Sequence, residues 1–211
     1  MRELDPSYYA NARREIEPLL PSAIDSVLEI GCGEGNTLLW LRESKAATVC
    51  RGVEIVREAA DRARQKGLDV RVADVEREGV PFAEQFQIVL CLDLLEHLRD
   101  PWATLRRIGG SIRPEGWLIA SIPNIAHFSI LSDLMFRDDW SYSEAGILDR
   151  THFRFFTRRT ARQLLSGAGL EVVRYQPRFA RKTHRRLNVL TFGLLERFLT
   201  YQSLFLARKL P

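Results

Sequence analysis

Gly31, Gly33 and Gly35 stand at alternate positions directly after the apolar run Val27-Leu28-Glu29-Ile30. Glycine takes positive φ without penalty and lets a ligand approach the backbone closely. A helical stretch from Asn36 then points its N-terminal amides at whatever sits above the turn. Glu54 lies 23 residues beyond Gly31, at the tip of a second apolar run, and Ile55 follows it. A carboxylate there can accept both hydroxyl protons of a ribose, and it repels a 2′-phosphate. The chemistry indicated is that of a ribose-bearing cofactor.

A pyrophosphate turn has the spacing G-x-G-x-x-G/A. Here the spacing is G-x-G-x-G, and Asn36 stands where the last glycine would. Residues Glu29, Gly31, Gly33 and Gly35 instead match E/D-x-G-x-G-x-G one for one, and so the chain resembles class I S-adenosylmethionine-dependent methyltransferases. The resemblance runs from about residue 25 to about 123, through Asp74 and the segment Leu94-Leu95-Glu96-His97-Leu98. It implies S-adenosylmethionine as cofactor and S-adenosylhomocysteine as product. By it, Glu29, Gly31, Cys32, Gly33 and Gly35 form the cradle, with Glu54 and Ile55 on the ribose side. Asp74 and Val75 take the adenine edge, and Leu92 and Asp93 line the ribose and sulfonium. Tyr8 and Arg13 reach the methionine end from an N-terminal helix over 5–20. The string Asp149-Arg150-Thr151-His152-Phe153-Arg154-Phe155-Phe156-Thr157 resembles a segment of methyltransferases from bacterial surface-glycan and secondary-metabolite pathways.

The reaction implied is SN2 methyl transfer to a hydroxyl of a glycan or related small metabolite. A histidine that takes the hydroxyl proton contributes roughly 10²–10⁴-fold. The candidates, in order, are His152, His127 and His97, with Asp149 placed to orient His152. No grouping of His, Asp, Glu and Cys has metal-ligand spacing along the chain, so the expectation is metal independence. Trp140, Tyr142 and Phe128 either stack on a ring of the acceptor or pack the insert. An NAD-linked oxidoreductase and a non-catalytic module binding S-adenosylmethionine or a polyanion are the competing readings.

These residues need a sheet to place them. Apolar runs at 26–30, 48–54, 69–73, 86–92 and 117–122 alternate with helical stretches at 36–44, 56–66 and 101–112. Alternation of that kind argues for α/β. The full expectation is a doubly wound seven-stranded sheet, mostly parallel with an antiparallel last strand, and helices on both faces. Residues 113–116 form a turn before the fifth strand. Residues 123–156 form an insert over the methyl group. A helix follows at 157–168, then a strand at 170–175. A basic linker at 178–186, a helix at 187–200 and a strand at 202–209 complete a single domain over 1–211.

The chain has 211 residues, 45% hydrophobic and 27% charged, which suits one soluble domain. No apolar run reaches the ~18–20 residues of a membrane span. Cys32, Cys50 and Cys91 are odd in number and widely spaced, and read as buried free thiols of a cytoplasmic protein, with Cys32 open to alkylation. The net charge of +4 hides an asymmetry: residues 1–149 carry 17 basic and 25 acidic side chains, residues 150–211 carry 14 and 2. A basic C-terminal third fits an anionic partner, whether a phospholipid surface at the inner face of the membrane, a phosphorylated carrier or nucleic acid, or else a solvated face. A homodimer face or a lid-packing helix is the competing reading for 178–200, and nothing resembles an RNA-binding signature.

Overall fold

Strand β4 (Phe86–Leu92) is apolar except at Gln87 and almost wholly buried. A run of that kind belongs in the middle of a parallel sheet, covered on both faces. It pairs in parallel with β1 (Ser26–Ile30) on one side and β5 (Ile112–Pro123) on the other. Strands β2 (Val49–Glu54) and β3 (Asp69–Val72) extend the β1 side. Strand β7 (Thr200–Lys209) inserts antiparallel between β5 and β6 (Leu170–Phe179). The order is β3-β2-β1-β4-β5-β7-β6, so seven strands form one doubly wound sheet with an antiparallel last strand, as expected. The structure, a computed structural model, describes residues 11–210.

Helices cover both faces. Leu38 and Leu41 of α1 (Asn36–Ser44) and Ala60 and Ala63 of α2 (Arg57–Gln65) close one core. Leu105 and Ile108 of α3 (Pro101–Gly109) and Leu164 and Leu165 of α5 (Arg158–Ser166) close the other. Helix α4 (Phe128–Arg137), after β5, has no buried residue. Strand order reverses between β1 and β4, and ligands of open α/β sheets bind at that point, outside the carboxyl ends of the strands.

Several boundaries differ from expectation. Residues 113–116 are no turn before β5 but a bulge within it: pairing jumps from Phe86↔Ile112 to Ile88↔Trp117, and Glu115 sits at φ 61°. The N-terminal segment, where described, is a 3₁₀ turn, Arg14–Leu19, containing Pro18; Tyr8 lies outside the described residues. The basic linker is the end of β6 followed by α6 (Lys182–Leu190). The helix expected over 187–200 is broken where Phe192 (φ 49°) and Gly193 (φ 80°) turn left-handed, and it resumes as α7 (Glu196–Leu199).

Candidate active site

The turn after β1 is built by its glycines. Gly31, Gly33 and Gly35 lie at φ 74°, 53° and 75°, where a Cβ is strained. Gly31 N–H and Cys32 N–H both donate to Val53 O, at 2.8 and 3.2 Å, locking the turn onto β2. The Cys32 side chain is turned away from the cleft and into the core, with its sulfur against Gly52. Burial pushes this thiol well above its usual range, which argues against sensitivity to alkylation.

Glu54 ends β2 and is 5% exposed. Its carboxylate accepts from Gly33 N–H at 2.8 Å and Val56 N–H at 2.9 Å, which fixes it against the glycine turn. Burial raises its pKa. Ile55 beside it is an exposed apolar side chain. Asp74 accepts from Glu76 N–H at 2.9 Å and pairs with Arg77, capping its own turn. The Val75 side chain is buried.

The opposite wall centres on Asp93, at φ 51° after the buried Leu92. Its carboxylate accepts from Arg13 Nη1 at 2.8 Å, from Ser121 Oγ at 2.9 Å and from Gln202 Nε2. Arg13 also donates to Glu15 at 2.5 Å. Burial opposes its charge, but Asp93 and Glu15 outweigh burial and hold the guanidinium firmly protonated. Between the walls lies Glu29, 3% exposed, with Oε2 lacking a hydrogen-bond partner among the described residues. Burial pushes its pKa up to about 8, against the pull of Arg13 and a hydrogen bond with Thr37. A folded-state pKa above the unfolded one favours folding fully below about pH 4.5, and that contribution is lost as pH rises to about 8. Glu29 therefore withdraws stability between pH 5 and pH 8, and Glu29→Gln removes that contribution, so the variant's Tm rises relative to wild type across the window in thermal unfolding.

The histidines form two groups. His127 caps the N-terminus of α4, with Nδ1 2.8 Å from Ser129 Oγ. Its Nε2 is buried and lacks a hydrogen-bond partner among the described residues. Burial, and then His184, lower its pKa to about 4, so the ring is neutral at pH 7. His97 closes a 3₁₀ turn, Leu95–His97, and stacks edge-on against His152 with ring centroids 4.7 Å apart. Asp149 was expected to orient His152, but its carboxylate goes to Thr151, accepting from N–H at 2.8 Å and Oγ1 at 2.6 Å. Thr151 in turn contacts His97, while His152 Nδ1 meets Ile147 O at 3.0 Å. Trp140 and Tyr142 both pack on Phe155 and remain partly exposed.

Sequence reasoning missed Ser121, Gln202 and Glu96. Gln202 reaches Asp93 from a strand 109 positions away, and no local pattern signals that. Glu96 was legible as a carboxylate inside Leu94-Leu95-Glu96-His97-Leu98; it is 1% exposed. Burial, then the charge of Asp93, push its carboxyl well above the usual range.

Residues 2–175 match a family described as methyltransferase domain. The chain is 32% identical over 105 residues to a ubiquinone biosynthesis O-methyltransferase of Bordetella avium (strain 197N), across 46% of this chain and 42% of that protein. It is 27% identical over 125 residues to a ubiquinone biosynthesis O-methyltransferase of Neisseria meningitidis serogroup C, across 52% of each. The chain thus spans about half the length of the curated relatives it matches. The fold is similar to that of a SAM-dependent methyltransferase from Archaeoglobus fulgidus, with a TM-score of 0.69, 17% identity, and coverage of 97% of this chain and 95% of that one.

Proposed function

The chain belongs to the family of methyltransferase domains, and from that premise we propose that it moves a methyl group from S-adenosylmethionine to a hydroxyl of a glycan or related metabolite carried on an apolar anchor. The observation that carries the cofactor half is the pair of buried carboxylates at the switch point. Glu54 is clamped to the glycine turn, and Glu29 keeps one oxygen without a partner among the described residues. A ribose diol suits the first and an amine suits the second, since buried polar atoms are normally satisfied. Arg13, fixed by Asp93, offers a cation for a carboxylate. The exposed Ile55 offers an apolar face for a purine. These residues fit S-adenosylmethionine, which supplies a methyl group already activated on a sulfonium.

The protein then has to align the acceptor and exclude water. Alignment contributes ~7–11 kcal/mol in well-oriented reactions. The insert over 123–156 supplies the wall on this reading, and His127 and the His97–His152 pair supply its polar groups. His127 is neutral at pH 7; its Nδ1 accepts from Ser129 N–H, so Nε2 carries the proton and offers a donor to the acceptor oxygen. Calorimetric titration separates the cofactor classes: S-adenosylhomocysteine binds and NADH does not. Binding of NADH alone would return the site to the oxidoreductase reading.

The hydroxyl reading draws on relatives named O-methyltransferases. The apolar anchor draws on the surface beside the insert. Met135 and Phe136 of α4, Leu190 at the end of α6, and Phe192 and Leu194 in the turn after it are 72–95% exposed. Lys182, Arg185 and Arg186 flank them. His127 and Phe128 pack on His184, which joins α4 to α6. No helix among the described residues is long and apolar enough to cross a membrane. Apolar tips with a basic rim suit the interface of an anionic bilayer. We expect the protein to sediment with phosphatidylglycerol vesicles, and a Phe192→Ser, Leu194→Ser double variant to lose roughly 10²- to 10⁴-fold of that partition, since each buried side chain is worth about 1.5–3 kcal/mol. Concentration-dependent dimerisation without vesicle binding would assign the face to a second copy.

A further inference from the structure

Glu96 is 1% exposed, and neither carboxylate oxygen has a hydrogen-bond partner among the described residues. Leaving such a group unpaired is costly, and native structures rarely do so. Two imidazoles sit beside it. His97 and His152 each bring a ring nitrogen to within 4.8 Å of a Glu96 oxygen and of each other.

The tautomers follow from the partners. Ile147 O only accepts, so His152 Nδ1, at 3.0 Å, carries the proton and Nε2 carries the lone pair. Thr151 Oγ1 gives its proton to Asp149 at 2.6 Å, and so accepts from His97 Nδ1 at 3.1 Å. His97 Nε2 therefore also carries a lone pair. Imidazoles tied at Nδ1–H to a carbonyl or a carboxylate-linked hydroxyl are oriented as metal ligands are. The backbone fixes the two segments together, since Phe153 N–H and Arg154 N–H both donate to Glu96 O, at 2.9 and 3.0 Å.

We propose that Glu96, His97 and His152 hold a divalent transition-metal ion of the zinc class through the carboxylate and the two Nε2 atoms. Two imidazoles and a carboxylate suit zinc, and three protein ligands leave a fourth position for an oxygen. Asp149 and Thr151 are positioning residues that act through His97. The ligands come from segments 55 positions apart, which is why spacing along the chain did not signal them. The inference goes beyond the methyl-transfer reading and does not rest on it.

The test uses untagged full-length protein titrated with Co²⁺, a spectroscopic substitute for Zn²⁺. We expect one Co²⁺ per chain, a visible ligand-field spectrum and displacement by Zn²⁺. Glu96→Gln, which keeps the shape of the side chain, and His152→Ala abolish that spectrum. Thr151→Val keeps the site but weakens it by about 10–100-fold. Wild-type protein that binds no more Co²⁺ than the Glu96→Gln variant would overturn the proposal. So would a spectrum unchanged in both ligand variants. S-adenosylhomocysteine binding, read on the same samples, reports on the cofactor site separately.

Discussion

Replacing Glu54 with alanine weakens S-adenosylhomocysteine binding by at least about 100-fold. A hydrogen bond to a charged group is worth about 1.5–3 kcal/mol, and a ribose offers two hydroxyls to this carboxylate, giving ~10²–10⁴-fold. The carboxylate also accepts from Gly33 N–H and Val56 N–H, so its loss frees both amides of the cradle. Glu54→Gln separates the two effects. It keeps the shape and one acceptor for those amides but loses the charge. We expect it to fold like wild type and to bind the ligand at an intermediate level in calorimetry. Unchanged affinity in a folded Glu54→Ala protein would remove this residue from the site.

Gly35→Val destabilises the whole domain. Gly35 lies at φ 75°, and a Cβ there would overlap Leu68 Cδ1 and approach Ala63 Cβ to 3.3 Å. Left-handed strain costs about 1–2 kcal/mol and overpacking about 1–3 kcal/mol, so the sum is roughly 2–5 kcal/mol. In a domain of this length that corresponds to a fall in Tm of about 4–20 °C. Gly67 is the control. It has nearly the same φ, 76°, but a Cβ there meets nothing within 4 Å. Gly67→Ala therefore shows only the strain, about 1 kcal/mol. Equal Tm losses at the two positions would mean that contact with α2 and Leu68 is not what demands Gly35.

The parts of the fold legible in the sequence are those set by local physics. Strand β4 is a short apolar run because both its faces are covered, and Phe86–Leu92 has the bounds expected. Helix α1 starts where the left-handed Gly35 lets it start. Glu54 ends β2 as expected, where its carboxylate accepts from Gly33 N–H of the glycine turn. The misreadings are tertiary. Residues 113–116 look like a turn, but pairing with β4 stretches them into a bulge. The apolar stretch 187–200 has helical composition, yet Gly193 breaks it and leaves Phe192 95% exposed. Asp149 stands three positions before His152, yet its partner is Thr151, and through it His97 from another segment. Gln202 reaches Asp93 only because β7 inserts beside β5.

The most direct test of the account is methyl transfer from isotopically labelled S-adenosylmethionine into cell extract, fractionated into lipid-linked, soluble small-molecule, protein and nucleic-acid pools. The account predicts label in the lipid-linked pool, recovered as a methyl ether and absent with Glu54→Ala. Label confined to protein or nucleic acid, or no Glu54-dependent label in any pool, would contradict it.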